Sequence, residues 1–470
     1  MSAASSTGAA GRTRAGEAAA WDLTAPGGLE EYRRRFEEID PEIHAFVAEP
    51  GRWQRLAEDV AGLRARWPEA AERPALFGAP VGVKDVFHAA GLPTRAGSRL
   101  PLAALMESSP GSPFEEEAAC VARLRAAGAL VAGKTVTTEL AYFEPGPTEN
   151  PRAPGRTPGG SSSGSAAAVA AGLCPVALGT QTIGSICRPA AFCGVVGFKP
   201  SYGRVPAGGL IPLAPSLDHV GVLAADVGWA RRAAAVLCDG WREEAQRRRP
   251  VLAVPVGPYL EHVEPAGRAG FDAARRRLTG AGWTVREVPA LADFPALAAR
   301  HRLLMAAEAA AVHAGRYERH RDLLRPKTVE LIERGRAARP EEVEAARVGR
   351  GELRRRLETT MAAEGIDLWL SPAAPGPPPE GLAGTGDATM NLPWTHAGLP
   401  TVALPAGTTP DGLPLGIQLT ARFGADEELL AWAYWITPSL PRPLSLPQGG
   451  RGAPPSRPPA SSHRGSGGAD

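Results

Sequence analysis

The chain has 470 residues, 44% of them hydrophobic and 22% charged, a globular balance that excludes wholesale disorder and is too long for a small staple-dependent module. Lys+Arg at 52 against Asp+Glu at 50 leaves a formal net charge of +2, too near neutral for a bulk attraction to nucleic acid or an anionic membrane. Five cysteines at spacings that fit neither a disulfide framework nor a zinc pattern, and the lack of any run of about 18 apolar residues, exclude a stapled scaffold, a structural zinc module and a helical membrane span.

In chain order, residues 1–24 read as a disordered Ala/Ser/Gly/Arg arm without the apolar core of a signal peptide, so the expected address is the cytoplasm. Residues 25–436 read as one large domain. Helical periodicity opens it: Leu29, Tyr32 and Phe36 share a face of LEEYRRRFEEID, and WQRLAEDVAGLRARW follows. The texture then changes to short β-branched runs bounded by Gly and Pro: APVGVKDVF, ALVAGKT, LCPVALGT and CGVVGFKP. Ala-rich helical stretches such as EEEAACVARLRAAGA separate them. Strand–helix alternation predicts an α/β layered fold. VLAVPVG and WTVREVPAL are further strands with the helix FDAARRRLTGAG between them, residues 301–365 are helical and charged, and DLWLSPA, TVALPAG and GIQLTAR return to strand. Residues 437–470 are a Pro/Ser/Gly/Arg-rich tail, expected to be dispensable for folding.

Only four lysines occur: Lys84, Lys134, Lys199 and Lys327. Arg stays protonated, whereas a desolvated Lys can lose its proton, so each Lys raises the question whether Arg would fail there. Lys327 sits in a polar helical stretch and reads as chance. Cys187 and Cys193 read as packing residues.

The segment 157–206, TPGGSSSGSAAAVAAGLCPVALGTQTIGSICRPAAFCGVVGFKPSYGRVP, carries the chemistry. Gly159, Gly160 and three serines lead into a helix of small residues from Ser165 to Gly172, and a strand then reaches a second tight loop, Thr180-Gln181-Thr182-Ile183-Gly184-Ser185. Gly-rich loops beside helix N-termini present N–H groups that can hold an anion or an oxyanion. Neither loop has the Lys that a phosphate loop needs. A Gly-x-Ser-x-Gly pattern centred on Ser162 leaves a Ser-His-Asp site open, with His219 and His396 as the histidines in motif-like contexts.

On these residues the chain resembles the amidase signature family of Ser-cisSer-Lys hydrolases. The flanking parts follow in order: PVGVKDVFHAAGLPTRAGS, AAGALVAGKTVTTELAYF, ENPRAPGRTPGG, SLDHVGVLAADV and TMNLPWTHAGLPTVALPAG…GLPLGIQL. The resemblance implies an α/β amidase signature fold, a central mixed sheet of many strands flanked by helices on both faces. It implies Lys84 as the catalytic base, Ser161 as the bridging serine after a cis peptide, and Ser185 as the acyl-forming nucleophile. It also implies an oxyanion hole at the backbone of Thr182, Ile183, Gly184 and Ser185, and a substrate pocket built partly by the helical region 301–365. Asp218 reads as a structural hydrogen-bonding residue, and Lys134 and Lys199 as structural.

The chemistry is coherent beside the resemblance. An amide carbonyl is a poor electrophile and needs an activated alkoxide and a stabilised oxyanion. A Lys whose ordinary pKa is about 10.4 becomes a base near neutrality if burial lowers it by roughly 3 units. A bridging hydroxyl can both donate and accept. Four departures stand out. Gln181 replaces the family's usual Asp, Ile183 replaces a Gly, Ser163 replaces a Gly, and Arg188 comes three rather than two positions after the nucleophile. Ile183 narrows a loop that must approach the substrate.

The expected function is hydrolysis of a small-molecule carboxylic amide to acid and ammonia or amine, with no metal or organic cofactor and no nucleic-acid or membrane partner; a homodimer is the assembly considered. Two alternatives stay open: the A subunit of a tRNA-dependent amidotransferase, and a non-catalytic binding protein on the same fold.

Overall fold

A computed structural model of the chain describes residues 21–107, 117–243 and 248–441. The strands are β1 (Pro80–Lys84), β2 (Leu130–Thr135), β3 (Val176–Gln181), β4 (Val196–Lys199), β5 (His219–Ala224), β6 (Leu252–Val256), β7 (Val285–Pro289), β8 (Leu368–Pro372), β9 (Thr401–Thr408) and β10 (Pro414–Thr420). They form one mixed sheet in the order β2-β1-β3-β5-β4-β9-β10-β8-β6-β7. The β2-β1-β3 and β8-β6-β7 ends are parallel, and the middle is antiparallel.

Most strands are buried along their whole length, as strands covered on both faces must be. The sheet's period of two divides its side chains between two cores. Val131, Leu178, Val222 and Val402 face one core, and Ala132, Ala177, Leu223 and Ala403 the other. The second core is closed by α1 (Gly28–Ile43), α2 (Arg52–Arg66), α4 (Ser163–Ala170) and α5 (Cys187–Cys193). The first is closed by α3 (Ala119–Ala126), α6 (Val227–Leu237), α7 (Pro265–Gly280), α8 (Phe294–Val312), α9 (Pro326–Arg336), α10 (Pro340–Glu364) and α11 (Asp426–Ile436). The expected fold class, an α/β mixed sheet flanked by helices, is the one observed.

The expected strands all form. β5 adds to them, because His219, Gly221 and a preceding turn mask its period in the sequence. Gly221 is there for space: a Cβ would lie 2.2 Å from the Phe198 carbonyl oxygen on β4. The cysteines are all buried and free. Burial pushes the thiols of Cys120, Cys174 and Cys187 up to about 12. No helix among the described residues is long and apolar enough to cross a membrane.

At the N-terminal end, residues 1–20 of the expected arm lie outside the described residues, whereas Leu23 and Thr24 are buried, with Leu23 N–H donating to Gly78 C=O. At the C-terminal end, Leu440 is buried and Trp283 Nε1–H donates to Ser439 Oγ at 2.9 Å. The packed chain therefore runs past Thr437; residues 442–470 lie outside the described residues. Deleting residues 442–470 is expected to leave Tm within about 1 °C of the full chain. Deleting residues 437–470 removes the Leu440 burial and the Trp283 hydrogen bond, together about 2–4 kcal/mol, and is expected to lower Tm by a few degrees. Thermal melts followed by circular dichroism separate the two; equal melting temperatures would show that Leu440 contributes nothing.

Candidate active site

Lys84 is the last residue of β1, and Thr180 and Gln181 close the neighbouring parallel strand β3. The carboxyl ends of parallel strands are where an α/β sheet opens a crevice, because the strands stop there and loops take over. Lys84 is fully buried, and its Nζ lies 2.7 Å from both Ser161 Oγ and Thr180 Oγ1. Burial lowers its pKa to about 7, with the charge of Asp218 opposing the shift.

The other buried lysines define by contrast what is special here. Lys134 Nζ pairs with Asp85 at 3.0 Å and donates to Phe87 C=O and Thr94 Oγ1. Lys199 Nζ donates to the carbonyls of Leu399 and Pro200. Carbonyls and carboxylates only accept, so they favour the ammonium form. Lys84 meets two hydroxyls, which can accept from an ammonium or donate to a neutral amine. Burial lowers Lys199 to about 7 as well, so what sets Lys84 apart is its two hydroxyl partners, one of them a serine of the cavity wall.

Ser161 precedes α4, and the Gly160–Ser161 peptide is cis. The helix SGSAAAVA is buried at every position because it lies against strands at close range. A Cβ on Gly164 would meet the Ala45 carbonyl oxygen at 2.2 Å and the Val136 nitrogen at 2.4 Å, so only Gly fits. Arg188, on α5, holds the cis segment from the far side. Its Nη2 donates to Gly160 C=O at 2.5 Å and to Thr385 Oγ1 at 3.2 Å, and its Nη1 donates to Gly386 C=O. Burial lowers this guanidinium to about 10, opposed by the charge of Asp387.

The loop 182–185 is tied at each residue that can be reached. Gln181 Oε1 accepts from the N–H groups of Ile186 and Cys187 at 2.8 and 2.9 Å, capping the start of α5. Its Nε2 donates to Thr395 Oγ1 at 3.0 Å, and Thr395 Oγ1–H in turn donates to Ile183 C=O at 2.6 Å. A carboxylate at position 181 could supply the two acceptors but not the donor. Thr182 Oγ1–H donates to Asp218 Oδ1 at 2.5 Å, while Asp218 Oδ2 accepts from Leu213 and Ala214 N–H. Burial raises Asp218 to about 6 against these donors. Gly184 passes under Asn391, where a Cβ would sit 2.2 Å from Oδ1. The N–H groups of Ile183, Gly184 and Ser185 donate to no protein acceptor among the described residues.

Ser161, Thr182, Ile183 and Ser185 line one inner cavity with Phe143, Arg188 and Met305. At about 10 Å³ it has room for about one water molecule. Ser185 is 9% exposed and shares this wall with Ser161, but no hydrogen bond joins their hydroxyls. An outer chamber of about 130 Å³ shares Tyr142, Phe143, Ile183, Met305 and Ala388 with it. The structure thus brings together Lys84, Ser161, Ser185 and the 182–184 loop. Met305 on α8 joins them from the helical region expected to build the pocket.

The histidines lie elsewhere. His219 Nδ1 is 2.6 Å from Leu217 C=O, and His396 Nδ1 is 3.2 Å from His301 Nδ1. Burial keeps His396 at about 3 and His219 well below its usual range. Neither hydrogen-bonds a serine of the site, and Ser162 Oγ donates instead to Thr180 C=O. The sequence places Thr180 at the start of this loop but gives it no role; a second hydroxyl on a buried lysine leaves no local pattern. No group of three or more metal-ligating side chains occurs among the described residues.

A family model described as Amidase matches residues 28–430. The chain is 35% identical over 453 aligned residues to the A subunit of the glutamyl-tRNA(Gln) amidotransferase of Thermus thermophilus, covering 85% of this chain and 90% of that protein. A crystal structure of an amidase superposes with a TM-score of 0.80 at 32% identity, covering 92% of this chain and 99% of that one. The native peptide amidase of Stenotrophomonas maltophilia superposes with a TM-score of 0.71 at 28% identity, covering 93% and 97%.

The Gln181 ties predict a ranking. Gln181→Ala strands two buried N–H groups and is expected to cost about 2–4 kcal/mol in urea unfolding. Thr395→Val removes a single hydroxyl and is expected to cost about 1 kcal/mol. Midpoints that do not differ between Gln181→Ala and the wild type would show that the loop is held by other means.

Proposed function

The chain belongs to the amidase family and acts on amide C–N bonds, and from that premise we propose that it hydrolyses a small carboxylic amide through an acyl intermediate on Ser185. The observation that carries this reading is the buried Lys84 amine with hydroxyl partners and a pKa near 7. Neutral Lys84 takes the Ser161 hydroxyl proton as Ser161 Oγ takes that of Ser185. Ser185 Oγ forms a bond to the amide carbon, whose oxygen becomes an oxyanion facing the free N–H groups of Ile183, Gly184 and Ser185. Collapse breaks the C–N bond, and the proton held on Lys84 returns through Ser161 to the leaving nitrogen. Water then adds to the acyl-Ser185 ester by the same relay and releases the acid.

The kinship with the A subunit of an amidotransferase favours a second reading, in which the amide is glutamine and the ammonia passes to a partner. Ammonia release from glutamine that requires a second, co-purifying protein would favour it. Against a binding protein without chemistry stands the bond of buried Lys84 to Ser161, which shares a cavity wall with Ser185.

Three measurements test the first reading. A fluorophosphonate is expected to label Ser185, mapped by mass spectrometry; an adduct on Ser161 or Ser162 would reassign the nucleophile. Only the neutral amine accepts a proton, and Lys84 is protonated below about pH 7. Therefore kcat/KM is expected to rise with pH through about 7 and level off above it. A profile flat from pH 5.5 to 8.5, a window chosen to span roughly 1.5 units either side of neutrality, would remove Lys84 as the base. Finally, Lys84→Arg is expected to be as damaging as Lys84→Ala, about 10²–10⁴-fold in kcat/KM, because a guanidinium does not deprotonate near neutrality. Lys327→Arg is expected to be nearly silent.

A further inference from the structure

We propose that the outer chamber is an anion-accepting subsite, so that the preferred amides carry a carboxylate at the end away from the scissile bond. The inference rests on the hydrolytic reading above for the position of that bond. The inner cavity has room for about one water molecule, less than the three heavy atoms of a carboxamide, so no part of a substrate beyond the reacting group fits there. The rest of a substrate must occupy the outer chamber. There, Tyr142, Phe143, Met305 and Leu392 present apolar wall, and Arg302 from α8 and Arg334 from α9 present guanidinium groups.

Both residues are exposed and also border an open groove with Glu342, and their side chains have no ion-pair or hydrogen-bond partner among the described residues. Arginines nearby do: Arg300 pairs with Asp293 at 3.1 Å, and Arg325 donates to Pro145 C=O. The carboxylate that lines the chamber, Asp387, accepts from the Thr389 N–H and hydroxyl at 2.8 and 2.6 Å rather than from either arginine. Glu330, one turn before Arg334, forms no ion pair with it among the described residues. Deeper in, Arg188 adds a third cation whose hydrogen bonds all go to neutral oxygens. The connected cavities thus face three guanidinium groups and one carboxylate. A neutral amide leaves the exposed guanidinium groups of Arg302 and Arg334 to water; a carboxylate on a short methylene spacer meets them with the fork geometry that guanidinium favours. The reaction is R–CO–NH₂ plus water giving the dicarboxylate and ammonium.

Glutaramate and hexanamide are matched in length and differ in the distal charge. For the wild type, kcat/KM for glutaramate is expected to exceed that for hexanamide by at least about tenfold, through KM, with the ratio falling as salt rises. In Arg302→Gln/Arg334→Gln the ratio is expected to drop at least about tenfold. Arg302→Lys/Arg334→Lys is expected to recover part of it, and Arg34→Gln, on an exposed face of α1, to leave it unchanged. A wild-type ratio near one, or a ratio that survives the double Gln variant, overturns the proposal. Should neither amide be turned over and Ser185 stay unlabelled, the hydrolytic reading fails by itself. The subsite is then read by calorimetry of glutaramate on the wild-type chain and the double Gln variant, with binding of equal strength sinking it.

Discussion

One amine deprived of water governs the site. Lys84 ends β1 at full burial, and desolvation alone is enough to bring an ordinary ammonium toward neutrality. What makes this usable is the choice of neighbours. Two hydroxyls leave the proton free to be on either side of the hydrogen bond, whereas the carboxylate beside Lys134 and the carbonyls around Lys199 can only accept. The parallel pairing of β1 with β3 is what places a hydroxyl of one strand end beside the amine of the other.

Around that amine the protein uses its polar groups to hold two short loops still. Arg188 clamps the carbonyl before Ser161, and Gln181, Thr395 and Asp218 between them hold the approach to Ser185. Each is bonded to backbone or to a neighbour, and of their side-chain polar atoms Arg188 Nε alone is buried without a partner among the described residues. The consequence is a pair of serines presented on bonded supports beside N–H groups without a protein acceptor, an arrangement that suits the acyl transfer proposed above. The cavity left over is small because Ile183, Phe143 and Met305 close it, so shape discrimination falls on the outer chamber.

Much of the fold is legible because fully buried strands read as short apolar runs between glycines, and the helices keep their period. β5 is hidden by His219, which stands opposite Gln181 on β3, and by Gly221, which allows the close approach of β4. The helix α11 is hidden by its wholly apolar second half, where several faces are buried and no periodicity survives. In the site, Lys84, Ser161 and Ser185 are singled out by the resemblance to the amidase signature family, and the structure brings them to one place. Thr180 is not, since its role depends on a neighbouring strand 96 positions away in the chain. Gln181 looks like a defect relative to the family's Asp; only the geometry reveals that its amide is bonded at both ends. Arg302 and Arg334 are invisible in a chain so rich in arginine, because nothing local separates an arginine facing a cavity from one facing solvent.

The burial of lysine also shapes how this molecule presents itself to reagents. Lys84, Lys134 and Lys199 are sealed in the sheet, and Lys327, whose Nζ donates to Phe143 C=O, is the remaining ε-amine. To amine-directed dyes, cross-linkers and solid supports, a 470-residue protein therefore offers almost a single handle besides its α-amino group. That handle touches the backbone of a residue lining the cavity. Attachment through it would tether the enzyme in one orientation, with the Phe143 wall of the cavity beside the point of anchorage.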